Sequence, residues 1–253
     1  MRILDVGTPI AIGNTAKVYL YKDKIFKIFK ANLPKTESHY EAEKQRLAFS
    51  HGLNVPEVID VTVIDGQQAI IMEYIKGRTI GDIVSQNMDQ TEYYMNISIE
   101  VQQKIHAVDV DSLERMSDKL QRQIAAAAHL EERQKSFLID KMASITYQNR
   151  LCHGDFHFLN LILSDSGLVT IIDWVDSSAG DIRADIYRTY LLYSQLSKEL
   201  AEMYLRLYLK KSDLSKEEIF QWAPIIAGAR LSENVTSETT ERLLKIINDQ
   251  YPL

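Results

Sequence analysis

The segment Cys152–Asp185 constrains the fold of this 253-residue chain more than any other part of it. It holds six aspartates and a single basic residue, Arg183, around a short apolar centre. Like charges are costly to gather in an apolar setting, so something positive must offset them. Because one divalent cation offsets several carboxylates, we expect a metal site in this segment.

The apolar centre of the segment has the pattern of a β-hairpin. Leu161–Leu163 and Val169–Ile172 are apolar arms on either side of the turn sequence Ser-Asp-Ser-Gly. A four-residue connection pairs the serine at 164 with residue 168 or with residue 169. In the second of these registers Asn160 lies opposite Asp173 at the open end of the hairpin. An amide oxygen beside a carboxylate suits Mg²⁺, and Asp155 lies within reach on the loop that enters the hairpin.

The order of these residues fits H-x-D-x-x-x-x-N followed by a metal-binding Asp, the catalytic and metal loops of the protein-kinase-like fold. More closely, HGDFHFLN…IIDW…GD…AD resembles the aminoglycoside phosphotransferase (APH) family of small-molecule kinases. The resemblance implies that Asp155 is the catalytic base and that Asn160 and Asp173 bind the metal. Support of the catalytic loop is predicted for His153, His157 and Asp185. This chain has HFLN where many relatives have HPGN, which leaves the backbone of the loop open.

Hydrophobic patterning divides the chain near residue 75. Strand patterns cover residues 9–12, 16–21, 25–29, 58–64 and 68–74, and a helix is predicted over 36–51. After Gly77 the pattern is mostly helical, including runs over 80–86, 93–106 and 113–130. We therefore predict an α+β, bilobal protein-kinase-like fold. Residues 1–75 form a small antiparallel-sheet lobe with one helix, and residues 76–253 form a larger, mainly helical lobe with the catalytic hairpin.

The first lobe also contains a lysine suited to a nucleotide phosphate. Alternation along the strand places Lys27 on an apolar face, where it needs an anionic partner. The resemblance selects Glu41 on the following helix as that partner, and Glu43 is the alternative.

Three further nucleotide contacts are implied by the resemblance. Gly13 lies in the loop that would cover the phosphates, although this loop has one glycine where protein kinases have three. The segment IIMEYIKG resembles the connection between lobes, so the Glu73 carbonyl and the Ile75 N–H would face an adenine.

Charge is distributed unevenly along the chain. The net charge is −6, and residues 1–75 are neutral with nine basic and nine acidic side chains. An acidic chain of this kind is not expected to bind nucleic acid. The acid surplus after residue 75 favours a cationic acceptor, although solubility explains it more simply. Candidates for binding substrate amines are Asp176, Glu233, Glu238 and Glu241.

Composition excludes several other classes. The single cysteine, Cys152, excludes a disulfide framework, and it is expected to be a packed thiol. No apolar run reaches the roughly 18 residues needed for a membrane span, and no signal peptide is evident. A cytoplasmic protein with no membrane partner is expected, and the oligomeric state is left open.

These observations predict Mg²⁺-dependent transfer of the γ-phosphate of ATP or GTP to a hydroxyl of a small molecule, with an amine-bearing, aminoglycoside-like acceptor favoured. Only eleven residues separate Asp173 from Asp185, and no A-P-E-like motif follows. A segment this short argues against peptide docking. Two alternatives remain: an atypical protein kinase acting on itself or a partner, and a nucleotide-binding regulatory pseudokinase.

Overall fold

A computed structural model describes residues 7–233, 235 and 238–251 of the chain. The chain forms two compact units, each built from two separate stretches. The first unit comprises Met1–Gln86 and Phe158–Val175, and the second comprises Asn87–His157 and Asp176–Leu253. This division differs from lobes that meet at residues 75 and 76, because residues 76–86 and the hairpin group with the N-terminal sheet.

The first unit contains a five-stranded antiparallel sheet and one long helix. In chain order the elements are β1 (Ala11–Ile12), β2 (Ala16–Tyr21), β3 (Lys24–Phe29), α1 (Glu37–Ser50), β4 (Val58–Ile64) and β5 (Gln67–Glu73). The spatial order of the strands is β1-β2-β3-β5-β4. The bounds of β2 and β4 are those predicted from the sequence, and the other elements differ by one or two residues.

Both faces of this sheet are apolar, which follows from the alternation of side chains along each strand. Phe26 and Ile28 of β3 pack on one face in a cluster with Tyr19, Ile64 and Ala69. Phe29 packs on the opposite face in a cluster that includes Ala42 of α1. Lys27 alternates with Phe26 and Ile28 and therefore points to the helix side of the sheet.

A second, smaller sheet completes the first unit. It consists of β6 (Gly77–Thr79), β8 (Leu161–Ser164) and β9 (Val169–Ile171), and β8 lies in the middle. The helix α2 (Ile80–Gln86) follows β6 directly. The strands β6 and β8 approach so closely that a Cβ at Gly77 would overlap the carbonyl of Leu163. A three-residue strand such as β6 has too few positions for a periodic pattern, and the sequence did not predict it.

Asn54 attaches the hairpin to the loop that precedes β4. Its side-chain amide donates to the carbonyl of Val169 at 2.7 Å and to Thr170 Oγ1 at 2.8 Å. Its own carbonyl accepts from the N–H of Ile171 at 2.9 Å. These bonds explain why the hairpin belongs to the same compact unit as the N-terminal sheet.

The second unit is mainly helical. Its helices are α3 (Thr91–His106), α4 (Met116–Ala126), α5 (Glu132–Ala143), α6 (Ile182–Leu196), α7 (Lys198–Lys210), α8 (Lys216–Phe220), α9 (Ala223–Arg230) and α10 (Thr240–Asn248). One antiparallel pair, β7 (Arg150–Cys152) with β10 (Ser178–Gly180), brackets the loop that contains Asp155. Among the described residues, every helix is too short or too polar to cross a membrane.

Candidate active site

Lys27 lies between two carboxylates in the first unit. Its Nζ donates to Glu41 Oε1 at 2.6 Å and to Asp173 Oδ1 at 2.8 Å. Lys27 is 8% exposed and Glu41 is 1% exposed, so this ion pair is buried. Glu43, the alternative partner, is exposed on α1.

The charges of this cluster do not balance. Burial alone would lower the pKa of Lys27, but the nearby carboxylates of Glu41 and Asp173 outweigh it and raise the pKa above its usual value. The lysine is therefore charged at neutral pH. Burial raises the pKa of Glu41, and Lys27 opposes this effect. With all three groups in direct contact ionised, two carboxylates against one ammonium group leave one negative charge among them, and the side chain of Asp173 is 39% exposed.

The sequence allowed two registers for the hairpin, and the structure has the one in which Ser164 lies opposite Leu168. The predicted register that places Asn160 opposite Asp173 is wrong. The N–H of Ser164 donates to the carbonyl of Leu168 at 3.0 Å, which closes a three-residue loop with Gly167 in the left-handed region. Ile172 consequently lies opposite Asn160, and its N–H donates to the Asn160 carbonyl at 3.0 Å. Asp173 is the next residue along.

Asp173 has a φ of +64°, a strained conformation for a residue that is not glycine. Such strain persists only where surrounding bonds hold it, and it is concentrated at functional sites. Here the bonds come from Lys27, from the pairing of Ile172 with Asn160, and from Trp174, whose Nε1 donates to the Ile171 carbonyl at 3.3 Å.

Lys44 adds a further restraint on the same segment, and the sequence analysis missed it. This lysine is 2% exposed, and its Nζ donates to the carbonyl of Val175 at 2.5 Å and lies 4.1 Å from the centre of the Tyr40 ring. It therefore ties the helix that carries Glu41 to the segment that carries Asp173. Its position three residues after Glu41, on the same helix face, was the available signal.

The donor set of Asn160 and Asp173 fits Mg²⁺. Both side chains offer hard oxygen atoms, and only Oδ1 of Asp173 receives the bond from Lys27. The negative charge left over in the cluster is the charge that such a cation would compensate.

The residues predicted to contact a nucleotide lie on the loop before β2 and at the end of β5. Gly13 donates from its N–H to the Ala16 carbonyl at 2.9 Å, and a Cβ there would meet only that oxygen, at 3.6 Å. The fold itself therefore does not require glycine at this position. Glu73 ends β5, with its N–H donating to the Glu57 carbonyl, and Ile75 is half-buried just beyond it.

Asp155 lies in the second unit, after a tight turn. Gly154 has a φ of +80°, and a Cβ there would overlap the carbonyl of Asp176, so this position requires glycine. The N–H of Asp155 donates to His153 Nδ1 at 3.3 Å, and His157 Nε2 lies 3.5 Å from Asp155 Oδ2. Burial would raise the pKa of Asp155, but His157, followed by Arg188 and His153, lowers it far below its usual range.

Asp185 holds the backbone of this turn. It accepts from the N–H of Gly154 at 2.7 Å and from that of His153 at 3.3 Å, and its Oδ2 lies 2.9 Å from His106 Nε2. The contact of Asp185 with His106, which lies in the last turn of α3, was not predicted from the sequence. A histidine in this turn, on the buried face of the helix, was the only local signal. Downstream, the HFLN sequence forms a 3₁₀ turn over Phe158–Asn160 that leads directly into β8.

Three of the four acids predicted to bind substrate amines have cations of the same unit beside them. Lys119 donates to Asp176 Oδ1 at 2.6 Å. Arg188 donates to Glu233 Oε2 at 2.9 Å, and Arg242 donates to Glu238 Oε2 at 2.8 Å. Glu241 is exposed in the first turn of α10. Neither Lys119 nor Arg188 was predicted from the sequence, although an arginine three residues after Asp185 in an apolar helix was a signal.

The fold is shared with solved kinase-like phosphotransferases at low sequence identity. A thermostable mutant of aminoglycoside phosphotransferase APH(4)-Ia, in a ternary complex with ADP and hygromycin B, is 13% identical over 99% of this chain and 98% of that chain, with a TM-score of 0.71. Aminoglycoside phosphotransferase APH(3'')-Id from Streptomyces rimosus is 18% identical over 89% and 93%, with a TM-score of 0.62. Choline kinase LicA from Streptococcus pneumoniae is 17% identical over 94% and 91%, also with a TM-score of 0.62. The predicted α+β, protein-kinase-like fold is confirmed.

The sequence itself matches the phosphotransferase enzyme family (APH) over residues 6–220. The chain therefore belongs to this family of small-molecule kinases, as its sequence motifs predicted. It is a phosphotransferase with an alcohol group as acceptor. No curated protein matches the chain significantly.

Proposed function

We propose that this protein transfers the γ-phosphate of ATP or GTP, with Mg²⁺, to a hydroxyl group of a small molecule. The observation that carries the proposal is the buried Lys27, shared between Glu41 and the strained Asp173. Three charged groups held this closely, with one negative charge left over, are suited to bind a metal–nucleotide complex.

The first unit supplies the residues that would bind the donor. Lys27, oriented by Glu41, would hold the α- and β-phosphates, and Asn160 and Asp173 would hold Mg²⁺. The metal ion, when bound, neutralises negative charge on the phosphate oxygens. Contacts to the phosphates from the loop at Gly13, and to adenine from the Glu73 carbonyl and Ile75 N–H, complete the proposed donor site.

Asp155 would act on the acceptor. In the transfer, a bond forms between the acceptor oxygen and the γ-phosphorus while the bond to the β–γ bridging oxygen breaks, and the hydroxyl proton passes to the Asp155 carboxylate. The low pKa of Asp155 keeps it ionised as a hydrogen-bond acceptor. A weak base of this kind contributes more by aligning the hydroxyl than by removing its proton early, which suits a loose phosphoryl-transfer transition state.

A small acceptor is supported by the residues that follow Asp173. This stretch contains β10 and the first turn of α6, which leaves no long segment on which a peptide could dock. The amine-bearing acceptor predicted from the acid surplus is not adopted, because Asp176, Glu233 and Glu238 already bind cations of this chain.

Titration calorimetry with Asp173→Ala tests the donor half of the proposal. Wild-type protein is expected to bind ATP more tightly with Mg²⁺ than without it, and the variant should lose this difference. Asp165→Ala, at an exposed position in the turn of the same hairpin, is the matched control and should retain it. Equal Mg²⁺-dependent affinity in the two variants would contradict the proposal.

A further inference from the structure

A small cavity in the second unit, lined by both apolar and polar side chains, adjoins the turn that precedes Asp155. Its volume is about 40 Å³, and its polar lining includes Gly154, Lys119, Gln123, Asp176, Arg188 and Glu233. A concave site with convergent polar groups beside the proposed base is where this unit would receive the hydroxyl-bearing end of an acceptor alcohol. The charges in its wall therefore determine which acceptors it can bind.

The first acid in this wall is held by one lysine at two points. Lys119 Nζ donates to Asp176 Oδ1 at 2.6 Å and to the Asp176 carbonyl at 2.7 Å. Burial would raise the pKa of Asp176, but Lys119 and Arg188 outweigh it and hold the pKa below its usual value. The carboxylate is therefore ionised, and its charge is already matched.

The second acid is shared by two guanidinium groups. Arg188 donates to Glu233 Oε2 at 2.9 Å, and Arg230 donates to the same oxygen. Gln123 donates to the other oxygen, Oε1, at 3.5 Å. Both arginines are 7% exposed, so their positive charge depends on Glu233 for compensation.

The remaining two predicted acids, Glu238 and Glu241, add little negative charge to this cavity. Glu238 accepts from Arg242 and from Gln195, and neither it nor Glu241 lines the cavity. Within the described part of the chain, Glu241 is the one predicted acid with no basic side chain in ion-pair contact, and it lies at the solvent-exposed start of α10.

We infer that the acceptor is an uncharged polyol rather than a polyamine, an inference that rests on the proposed function. An ammonium group would have to displace a lysine or arginine from its carboxylate and leave that cation buried without compensation. A hydroxyl both donates and accepts, so it can bond to a paired carboxylate and to a neighbouring N–H group without separating them. Because each hydroxyl both donates and accepts, several hydroxyls of one molecule can form hydrogen bonds with the paired groups that line this cavity.

The binding test uses neomycin as a polyamine probe, titrated by calorimetry into protein saturated with MgADP. Wild-type protein is expected to show no saturable binding below about 1 mM. Asp176→Asn should not change this result, whereas Lys119→Met releases Asp176 and should tighten binding about fivefold. Micromolar binding to the wild type, or weaker binding in Asp176→Asn, would overturn the inference. Should Lys119→Met not fold, the other two proteins decide the outcome.

The turnover test compares two kinds of six-membered carbocyclic polyol, one without amino groups and one with two. ADP release is measured with inositols and with 2-deoxystreptamine, and the inositols are expected to raise the rate above that without acceptor while the diamine does not. Faster release with the diamine overturns the inference. Should neither ring react, the neomycin titration decides. MgATP affinity is measured on the same protein, so failure to bind the donor is recognised as failure of the proposed function instead.

Discussion

The two units of this protein differ in how far nearby cations balance the charge of their acidic side chains. In the first unit, Glu41 and Asp173 both contact the ammonium group of Lys27, so these three groups together carry one surplus negative charge. In the second unit, Asp155, Asp176 and Glu233 are surrounded by an equal number of cations, namely Lys119, Arg188 and Arg230.

This difference indicates what each unit can accept. A cluster with surplus negative charge gains by taking up a cation, because Coulomb attraction is strong where solvent is partly excluded. A balanced cluster gains nothing from a further charge and would lose existing ion pairs. Donor binding in the first unit should therefore depend steeply on Mg²⁺, and acceptor binding in the second unit should depend little on salt.

The largest expected effect concerns the acid of the second unit that is proposed as the catalytic base. Asp155→Ala should lower turnover by roughly 10²–10⁴, the usual contribution of a general base, with little change in nucleotide affinity. Steady-state ADP release together with calorimetry checks both parts. Asp213→Ala, at an exposed position of the same unit, is the control. Wild-type turnover in Asp155→Ala would remove this aspartate from the mechanism.

The next largest effect is expected when Lys27, the cation that Glu41 and Asp173 share in the first unit, is replaced. Lys27→Met leaves the buried carboxylate of Glu41 without compensation, which should cost about 3–5 kcal/mol in the free energy of unfolding. Urea unfolding monitored by circular dichroism measures the loss. The double variant Lys27→Met/Glu41→Gln should regain part of it, since the buried charge is then removed. An unchanged midpoint in the single variant would show that the Glu41 carboxylate does not depend on Lys27 for compensation.

A smaller effect is expected when only the restraint on the segment that carries Asp173, the proposed metal ligand, is lost. Lys44→Met removes a charged hydrogen bond to the Val175 carbonyl, a bond worth about 1.5–3 kcal/mol. MgATP affinity, measured by calorimetry, should fall about tenfold. Affinity without Mg²⁺ should change less, because the restraint acts through Asp173.

Two further variants separate positioning from a general loss of structure. Lys44→Arg should recover part of the MgATP affinity, since it retains a donor. Arg46→Met changes an exposed residue of the same helix and should behave as wild type. Equal losses with and without Mg²⁺ in Lys44→Met would indicate a structural role alone.

The smallest effect concerns the pH dependence of the second unit. His157 is the largest contributor that lowers the pKa of Asp155, so His157→Gln should raise that pKa towards its usual value. A carboxylate with a lowered pKa works above that pKa and fails as the pH falls through it. The ratio of variant to wild-type turnover should therefore stay constant from pH 6 to 4 and decline only below about pH 4, the usual range of an aspartate. His129→Gln, at an exposed position, should show a constant ratio.

Local sequence patterns were sufficient for most of the first unit. The limits of β2 and β4 follow from β-branched and aromatic runs that end at compact turns. The place of Lys27 on an apolar face predicted that it has an anionic partner, and the family resemblance selected Glu41 over Glu43. The roles of Asp155, Asn160 and Asp173 remain predictions, although the elements that carry them were identified. These features depend on residues close together in the chain.

Features set by distant contacts could not be predicted. The helical run over 113–130 becomes α4 alone, Met116–Ala126, because Arg115 is extended and bridges to Ala179 far along the chain. The hairpin register depended on where the turn closes, and both options fitted the pattern equally. The cations that balance Asp176 and Glu233 come from α4, α6 and α9, and no spacing in the sequence pairs them.

The attachment of the hairpin to Asn54 and β6 has a practical consequence for dissecting the protein. A fragment cut after residue 86 would retain Lys27 and Glu41 but would lose Asn160 and Asp173, along with the strand that pairs with β6. The complementary fragment would contain the β8–β9 hairpin without its partner strand β6. An autonomous donor-binding miniprotein would need residues 158–175 grafted behind residue 86 through an artificial linker.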